Sequence, residues 1–583
     1  MEGFTGGAMT SKDFQPCWTN HPPQPGSFRS IFKWGAPDVF KHPNRRLYAL
    51  LKEELGLADA HFNGKAHEGE EPAACARPPQ METRHIRAMA AVVGEDNIST
   101  RDYDRVKYAT GRTMEEIIAL RHGVAGDVAD LIIHPRHKED VRAIVRYCHA
   151  HKIPLYVYSG GSSVTLGLRP VRGGVTLVLG THMNRVLAFN ETNQTITVEP
   201  GLSGPAYEDL LNHAPERLKA KRRYTCGHFP QSFEFSSVGG WIVTLGSGQA
   251  SSYYGDIYDI VISQEYVTPA GDFKTLDYPA AATGPRINDM MKGSEGAFGV
   301  LVAATLKVFR HMPGNRCRYA FIFPHWAAAV EAAREISQGE FGRPAVLRIS
   351  DAEETDVALK LYGVEAVWTN FIFTRMGYQP GRRCLMIGSA EGEKHFAGNV
   401  KKQIKKICRR HKAMYLTGLP VRAWEHGRFR DPYLREDLND YGIVIDTLET
   451  SVPWDRLHQV YRRVRERIKS RPNTVCMTHA SHFYSQGTNL YFIFIAAMND
   501  LQAYKNFQMG IIDTIQMSGG SLSHHHGVGK MISPWMKRHL GSAQMAILRA
   551  LKRHFDPNGI MNPGGTLGLD AEEDEELMQS TFE

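Results

Sequence analysis

Four short loops, rich in glycine and other small residues, constrain the fold of this sequence most strongly, because each follows a segment with the pattern of a strand. They are Tyr158–Gly167, Glu199–Gly201, Phe235–Trp241 with Gly246–Gly248 and Tyr254–Asp256, and Thr283–Pro285 with Gly293–Gly299. Glycine lets a backbone approach a pyrophosphate closely, and consecutive N–H groups in such loops form anion-binding nests. Taken alone, any one of these loops is explained equally well as an ordinary turn or as a phosphate-binding loop. Four together fit a long dinucleotide laid between two lobes.

The first loop reads YSGGSSVTLG and follows the predicted strand Pro154–Tyr158. It does not open a helix with the spacing GxGxxG, so a nicotinamide-binding Rossmann motif is disfavoured. Paired glycines followed by serines instead predict a backbone that lies against phosphate groups.

Composition indicates an ordinary globular enzyme with more than one domain. The chain has 583 residues, of which 42% are hydrophobic and 22% charged, and this length predicts two or three domains. The formal net charge of +7 favours anionic substrates or membrane surfaces but is far from the charge typical of nucleic-acid-binding proteins. The eight cysteines include no CxxC pair. We therefore expect reduced thiols, and neither a disulfide framework nor a zinc ribbon.

Changes of pattern along the chain predict four regions. These are a partly helical N-terminal region (1–125), the region of the four loops (126–311), a region of alternating helices and strands that suits substrate binding (312–530), and a C-terminal helix with its tail (531–583).

Several elements are predicted within these regions. Thr113 and Glu116 have the spacing of a capping box before a helix. In the second region Leu131–Ile133 is a short apolar strand, and four apolar residues then recur at helical spacing, namely Val141, Ile144, Val145 and Cys148. The last helix is expected near Ala543–Phe555.

The ordered set of loops resembles a known flavin-binding fold. Asp130–Pro135 (DLIIHP) precedes the loops, Val267–Gly271 lies between the third and the fourth, and Phe555–Gly565 (FDPNGIMNPGG) closes the set. This arrangement is similar to the vanillyl-alcohol-oxidase (PCMH)-type FAD-binding domain. The resemblance implies an α+β fold, with a two-lobed FAD-binding domain, an α+β substrate-binding cap domain and a helical N-terminal region.

The resemblance also implies which residues bind FAD. They are Ser159, Gly160, Gly161, Ser162, Ser163, Pro200, Gly201, Gln231, Ser232, Ser236, Gly239, Gly240, Glu295, Gly299, Val300 and Asn562. Many members of this superfamily hold the flavin covalently through a histidine in the first loop. Here Ser162 and Ser163 occupy that neighbourhood, so we expect noncovalent FAD.

A second group of motifs resembles the alkyldihydroxyacetonephosphate synthase family within that superfamily. The most specific is Gly519–Lys530 (GGSLSHHHGVGK), and it is joined by Gly227–His228, Glu234–Trp241 and Leu448–Arg456. The likeness runs over about residues 100 to 568. Gln231 departs from the family pattern, which has an acidic residue soon after the glycine–histidine pair.

This resemblance implies a flavin-dependent transferase of ether-lipid biosynthesis. Such an enzyme exchanges the acyl group of acyl-dihydroxyacetone phosphate for a fatty alcohol through an adduct at flavin N5, without net redox change. Its partners are these two substrates and no nucleic acid, and a homodimer stays open. Two alternatives remain, an FAD-linked oxidase or dehydrogenase of a 2-hydroxy acid or related small alcohol, and a flavoprotein that has lost catalysis.

Tyr491 matches the catalytic tyrosine of the family. It lies in the apolar segment Asn489–Phe494, whose alternation predicts a strand that displays one phenol into a cleft. A buried core tyrosine is the alternative. As a base, Tyr491 would need a lowered pKa, and a histidine cation from the loop His524–His526 is the obvious cause. The loop could instead orient the departing acyl oxygen, and the sequence leaves both roles open.

His524, His525 and His526 cannot all face one way, so at most two are expected to line the site. A metal patch is an alternative, which His479 and His482 could join. However, the motif contains no acidic residue, and Ser523 stands where related dehydrogenases have a glutamate. We therefore expect no metal.

Two arginines complete the predicted site. Arg348 matches a family arginine near the flavin, and Arg435 aligns with the arginine that grips the substrate phosphate. A guanidinium suits phosphate because it offers a planar, bidentate fork. A surface salt bridge is the alternative for each.

No targeting or membrane-spanning segment stands out. Met1–Thr10 lacks the regions of a secretory signal, Leu490–Met498 is far shorter than the roughly 20 residues of a spanning helix, and Ser580–Glu583 is not a Ser-Lys-Leu-type peroxisomal address. The acidic run Asp570–Glu576 is predicted to be a solvated tail. We expect a cytoplasmic protein, and a peroxisomal one only if it is eukaryotic with an unrecognised signal.

Basic clusters carry one further hypothesis. They are Arg217–Arg223, Lys401–Lys412 and Arg462–Arg471. Solvated helix faces explain them most simply. Peripheral contact with an anionic membrane is the alternative, at roughly 1 kcal/mol for each charge near the surface.

Overall fold

The computed structural model describes residues 16–64, 68–361, 367–498 and 500–570. The predictions for the first ten residues, for the acidic run beyond residue 570 and for the last four residues lie outside this part of the chain.

The N-terminal region is helical, as predicted. Its helices are α1 (Phe28–Phe32), α2 (Arg45–Glu54), α3 (Thr83–Val93), α4 (Asp102–Lys107) and α5 (Met114–Arg121). The capping box at the start of α5 is confirmed, because the hydroxyl of Thr113 accepts the N–H of Glu116 and the Glu116 carboxylate accepts the N–H of Thr113. Buried Arg29 and Arg121 both donate to Asp440. These ion pairs fix the region to the distant segment that follows Asn439.

The first lobe is a four-stranded sheet with one helix. Its strands are β1 (Ile98–Ser99), β2 (Leu131–Ile133), β3 (Leu155–Tyr158) and β4 (Val175–Val178), in the order β1-β2-β4-β3, and its helix is α6 (Lys138–His151). β2, β4 and β3 are parallel. α6 buries the four apolar residues predicted from their spacing. The first small-residue loop therefore begins where a parallel strand ends.

The second lobe is a five-stranded antiparallel sheet. Its strands are β5 (Val186–Asn190), β6 (Thr195–Val198), β8 (Val261–Thr268), β9 (Gly271–Lys274) and β10 (Val300–Lys307), in the order β5-β6-β10-β8-β9. β7 (Tyr224–Thr225) pairs separately with β11 (Phe309–Arg310). The helices are α7 (Gly204–Asn212), α8 (Ala214–Leu218), α9 (Val238–Val243), α10 (Ser251–Tyr254), α11 (Ile257–Ile260) and α12 (Ile287–Met290). The two lobes confirm the predicted fold.

A seven-stranded antiparallel sheet forms the cap. Its strands are β12 (Cys317–Phe323), β13 (Val346–Ser350), β14 (Cys384–Ala390), β15 (Met414–Thr417), β16 (Ile443–Pro453), β17 (Thr474–Phe483) and β18 (Gly487–Ala497), in the order β15-β12-β14-β13-β17-β18-β16. The helices are α13 (Trp326–Gln338), α14 (Ala352–Leu361), α15 (Val367–Arg375), α16 (Lys394–Arg410), α17 (Leu419–Gly427), α18 (Leu434–Asn439), α19 (Leu457–Lys469) and α20 (Leu501–Met517).

The two faces of this sheet have different environments. Leu448, Leu490 and Phe492 belong to one large apolar core with residues of the covering helices, such as Ile404 of α16 and Val464 of α19. Successive residues of a strand point to opposite faces. The intervening residues therefore face away from that core, towards the two lobes.

The C-terminal segment returns to the first lobe. It contains α21 (Gly529–Ile532) and α22 (Met536–Phe555), and Gly541 interrupts α22 with a φ of 77°. Leu155 of β3 donates its N–H to the carbonyl of Ile560, and Asn562 donates back to the carbonyl of Leu155, each at 2.8 Å. Among the described residues, no helix has the length and hydropathy needed to cross a bilayer.

Candidate active site

One cavity of about 910 Å³ extends from the loops of the two lobes to the inner face of the seven-stranded sheet. Most of the predicted cofactor residues line it, namely Ser159, Gly160, Gly161, Ser162, Ser163, Gln231, Ser232, Ser236, Gly239, Gly240, Glu295 and Gly299. Loops that are far apart in sequence thus form one wall, as their small-residue composition predicts.

Glycine is required where these loops meet. A Cβ atom at Gly160 would lie 2.9 Å from the Cα of Ser236, and one at Gly239 would lie 2.6 Å from the Cβ of Pro200. Both contacts are shorter than side chains tolerate, so any larger residue would push the loops apart. The resulting cradle of backbone and small side chains fits a dinucleotide such as FAD.

Four predicted cofactor residues lie behind this wall and do not line the cavity: Pro200, Gly201, Val300 and Asn562. The carbonyl of Pro200 accepts the N–H of Gly239 at 2.8 Å, and Gly201 donates its N–H to Met183. The amide of Asn562 donates to the carbonyl of Glu295 at 2.7 Å, and Val300 is fully buried at the start of β10. Their polar groups bind protein and support the loops in this structure, and their contact with the cofactor stays a prediction.

Tyr491, Glu449 and His479 lie side by side on three neighbouring strands. Tyr491 of β18 is in register with Glu449 of β16 and with His479 of β17. The rings of His479 and Tyr491 stack with 4.8 Å between their centroids, and both residues line the cavity. The alternation along β18 thus displays the phenol as predicted.

The predicted lowering of the Tyr491 pKa is wrong for this structure. Burial raises the pKa of Tyr491 to about 12. Burial also lowers the pKa of His525 and of His526, so these two imidazoles are neutral near pH 7 and supply no cation. Tyr491 is therefore a protonated phenol, suited to donate a hydrogen bond rather than to act as the resting base.

Glu449 holds the backbone of the histidine loop. One of its oxygens accepts the N–H groups of His524, His525 and His526 at 2.9, 3.0 and 3.1 Å, and the hydroxyl of Ser523 at 2.8 Å. Burial acts to raise the pKa of Glu449, but the N–H groups and the Ser523 hydroxyl that donate to it help to hold it below its ordinary value. The acidic residue that the motif lacks in sequence is thus supplied by β16.

Two of the three histidines line the cavity, in agreement with the prediction. They are His525 and His526, whereas His524 turns away, with its Nε2 2.7 Å from the hydroxyl of Tyr484. The ring of His525 lies parallel to that of Tyr491, with 6.0 Å between the centroids. Among the described residues, Glu449, His524 and His525 bring ligand atoms within 4.8 Å of one another. The Glu449 oxygens are already occupied by N–H donors, and the expectation of a metal-free site stays a prediction.

Arg348 and Arg435 both line the cavity but differ in their partners. Arg348 pairs with Glu354, and its Nη2 lies 3.1 Å from Nδ1 of His479. Burial acts to raise the pKa of Glu354, yet His479 and Arg348 lower it to about 2.

Arg435 of α18 donates one hydrogen bond, from Nη1 to the carbonyl of Arg112 at 3.3 Å. Its Nε and Nη2 are buried without a hydrogen-bond partner within the described ranges.

Comparisons with known proteins agree with this geometry. Residues 129–277 match the FAD binding domain family, and residues 312–566 match the C-terminal domain of FAD linked oxidases. An alkyldihydroxyacetonephosphate synthase of Dictyostelium discoideum is 30% identical over 506 residues, which cover 83% of this chain and 81% of that protein. The chain belongs to the alkyldihydroxyacetonephosphate synthase family.

A solved alkyldihydroxyacetonephosphate synthase supports the same placement. It superposes with a TM-score of 0.78 at 26% identity, and the match covers 92% of this chain and 99% of the other. An uncharacterized FAD-linked oxidoreductase of Escherichia coli (strain K12) is 30% identical over 445 residues, or 73% of this chain and 86% of that protein. As a member of the synthase family, this chain is a flavin-dependent enzyme with FAD as its cofactor.

Further residues of this family member line the cavity but carried no prediction. In and around the third loop they include Ser237, Trp241, Val243, Thr244, Gly246, Ser247 and Gln249, and in the N-terminal region they include Trp34 and Leu47. Gly246 and Ser247 could have been predicted to line the cavity, because they belong to the small-residue sequence of the third loop. No motif marks Trp34, since only the fold brings the N-terminal region to the cavity.

An apolar arm extends the cavity along the sheet. It is lined by Ile445, Met477, Ile493 and Ile495 of the strands, and the cavity lining also includes Phe373 of α15 and Leu419 and Trp424 of α17. Ile493 and Ile495 share the face of Tyr491, because they follow it by two and four residues. At about 3.3 Å per residue, the arm reaches at least about 13 Å from the phenol along β18.

Proposed function

We propose that this chain exchanges the acyl group of acyl-dihydroxyacetone phosphate for a fatty alcohol, in ether-lipid biosynthesis. The observation that carries the proposal is a single cavity that joins the dinucleotide cradle, Tyr491 with the histidines, Arg435 and the apolar arm. A substrate with a phosphate at one end and a hydrocarbon chain at the other matches these parts.

Arg435 is suited to the phosphate. Two of its buried nitrogens, Nε and Nη2, have no partner among the described residues and leave two donors for an anion inside the cavity. An unsatisfied buried donor costs about 1–3 kcal/mol, so a phosphate that accepts from both relieves this cost. The apolar arm suits the chain, because each buried CH₂ group contributes about 0.8 kcal/mol.

The chemistry needs a proton acceptor beside the C1 carbon and donors for the oxygens. Bound FAD supplies an electron sink and an electrophilic N5 atom, with no net oxidation. Neutral His525 and His526 each carry an unprotonated ring nitrogen that can take a proton from C1. Tyr491, which stays protonated, donates a hydrogen bond to an oxygen that gains negative charge. One C–O bond at C1 is replaced by another, so the acyl group departs as a fatty acid.

The second candidate is oxidation of a 2-hydroxy acid or a related small alcohol. The identity to an FAD-linked oxidoreductase favours it. The apolar arm weighs against it, because a small acid would leave at least about 13 Å of apolar wall without a partner.

The test is an exchange assay without an electron acceptor. Purified protein loaded with FAD is incubated anaerobically with acyl-dihydroxyacetone phosphate and labelled fatty alcohol. We expect the label in an alkyl product, with one fatty acid released for each alcohol incorporated. Reduction of a dye by a 2-hydroxy acid, without any alcohol exchange, would replace the proposal by the second candidate.

We also propose a cytoplasmic protein that contacts membranes peripherally. α16 supports this idea, because its apolar residues Ile404, Ile407 and Cys408 are buried whereas Lys402 and Lys406 are exposed. Co-sedimentation with vesicles that contain anionic lipid, compared with neutral vesicles, tests the contact. If the protein sediments equally with both kinds of vesicle at low salt, these lysines form a solvated helix face and the proposed membrane contact is wrong.

A further inference from the structure

Four polar side chains form a hydrogen-bonded chain that begins at the cavity and ends at the carboxylate of Asp256. Nδ1 of His525, which lines the cavity, is 3.0 Å from Nδ1 of His524. Nε2 of His524 is 2.7 Å from the hydroxyl of Tyr484, which in turn donates to Asp256 at 2.5 Å. The members come from the histidine loop, from the segment after β17 and from the N-cap of α11.

Asp256 fixes the direction of the hydrogen bonds between these four side chains, because an ionised carboxylate can only accept hydrogen bonds. Burial acts to raise the pKa of Asp256, but the hydrogen bonds it accepts from the hydroxyls of Ser247 and Tyr484 help to hold it below the ordinary value. Its other oxygen accepts the hydroxyl of Ser247. Burial and Asp256 both raise the pKa of Tyr484, so Tyr484 keeps its proton and gives it to Asp256 in the hydrogen bond.

The proton positions then follow one by one. Since the Tyr484 hydroxyl donates to Asp256, its oxygen accepts from Nε2–H of His524. With its single ring proton on Nε2, the imidazole form of His524 accepts at Nδ1. The facing Nδ1 of His525 must then be the donor. Glu449 favours the same arrangement, since its Oε2 lies 3.7 Å from Nδ1 of His525.

We propose that Asp256 and Tyr484 are positioning residues that hold His525 in the tautomer with Nδ1 protonated and Nε2 free. This proposal rests on the proposed function and names the base for it. The C1–H bond of the substrate breaks, its proton goes to Nε2 of His525, and the electron pair is shared with the neighbouring carbonyl group. Asp256 stabilises the resulting imidazolium through Tyr484 and His524.

Groups on every neighbouring element face the two histidines. The rings of His482 and Tyr491 lie 5.1 and 6.0 Å from that of His525, and His526 lies 4.7 Å away. Burial lowers the pKa of His482 to about 3, so this ring is neutral. The ionised carboxylates at this cluster are Glu449, which holds the loop backbone, and Asp256, which ends the chain of side chains.

The test measures the tautomer and the exchange rate in the FAD-loaded enzyme. Histidine is labelled with ¹⁵N in the ring, and the His525 signals are assigned from their loss in His525→Gln. In wild type we expect a proton on Nδ1 and none on Nε2. In Tyr484→Phe and Asp256→Asn we expect signals of the other tautomer and an exchange rate lower by about a hundredfold, the lower range for a positioned proton-transfer group.

Two control variants remove similar bonds elsewhere. Tyr258 donates to Asp289 at 2.7 Å, so Tyr258→Phe loses a tyrosine–carboxylate bond that does not reach the histidines. Asp259 accepts the N–H of Asp256 in the capping box, so Asp259→Asn tests the cost of disturbing α11. Both should keep the wild-type tautomer and exchange rates within about threefold of wild type, as surface or local polar changes do.

Protonated Nε2 of His525 in wild type would overturn the proposal, even if the variants fail to fold. Exchange by Tyr484→Phe and Asp256→Asn at the rates of the two controls would also overturn it. If wild type does not exchange alcohol at all, the proposed function fails, and the ¹⁵N spectra still decide whether Asp256 and Tyr484 set the tautomer.

Discussion

Replacement of Arg435 by alanine should weaken binding of the substrate phosphate without lowering the free energy of unfolding or the FAD content. The Arg435 side chain donates one hydrogen bond, to the carbonyl of Arg112, and its Nε and Nη2 are buried without partners among the described residues. Arg435→Ala removes one bond worth about 1 kcal/mol together with two unsatisfied donors that each cost about 1–3 kcal/mol. The free energy of unfolding should therefore stay equal to wild type or rise, and FAD content should not change.

Substrate binding should respond in the opposite direction. A charge-assisted hydrogen bond contributes about 1.5–3 kcal/mol, so Arg435→Ala should weaken binding of the phosphorylated substrate by about ten- to a hundredfold. Arg435→Lys keeps the charge but loses the planar fork, and we expect an affinity between those of alanine and wild type.

The assay is titration calorimetry with acyl-dihydroxyacetone phosphate and with the same ketone lacking phosphate. The variant and wild type should bind the phosphate-free compound equally well. An unchanged affinity for the phosphorylated substrate would refute the assignment, and an equal loss for both compounds would place Arg435 elsewhere in the site.

Two further predictions concern the phenol and the flavin. Tyr491→Phe removes only the hydroxyl, so it should keep folding and FAD content while the exchange rate falls by about two or more orders of magnitude; exchange at the wild-type rate would show that the phenol takes no part. Because Ser162 and Ser163 line the cavity where a tethering histidine would stand, acid precipitation should release all the flavin into the supernatant. Flavin that stays in the pellet would mean a covalent bond from another residue.

Local elements were predictable because short-range patterns determine them. The capping box of Thr113 depends on a three-residue spacing, and α6 depends on apolar residues at helical spacing. The alternation around Tyr491 likewise predicts both the strand and the face that carries the phenol. The family motifs added the order of the loops and hence the cofactor.

What sequence alone determined is therefore the set of elements, the FAD-binding loops and most of the residues that line the cavity. Only the tertiary structure decided how their charges are compensated. It brings Glu449 to the histidine loop some 75 residues away and raises the pKa of Tyr491 to about 12. Within the described part of the chain, it also leaves two nitrogens of Arg435 without partners. The physical reason is that burial and hydrogen-bond partners depend on contacts between distant segments, which local sequence patterns do not specify.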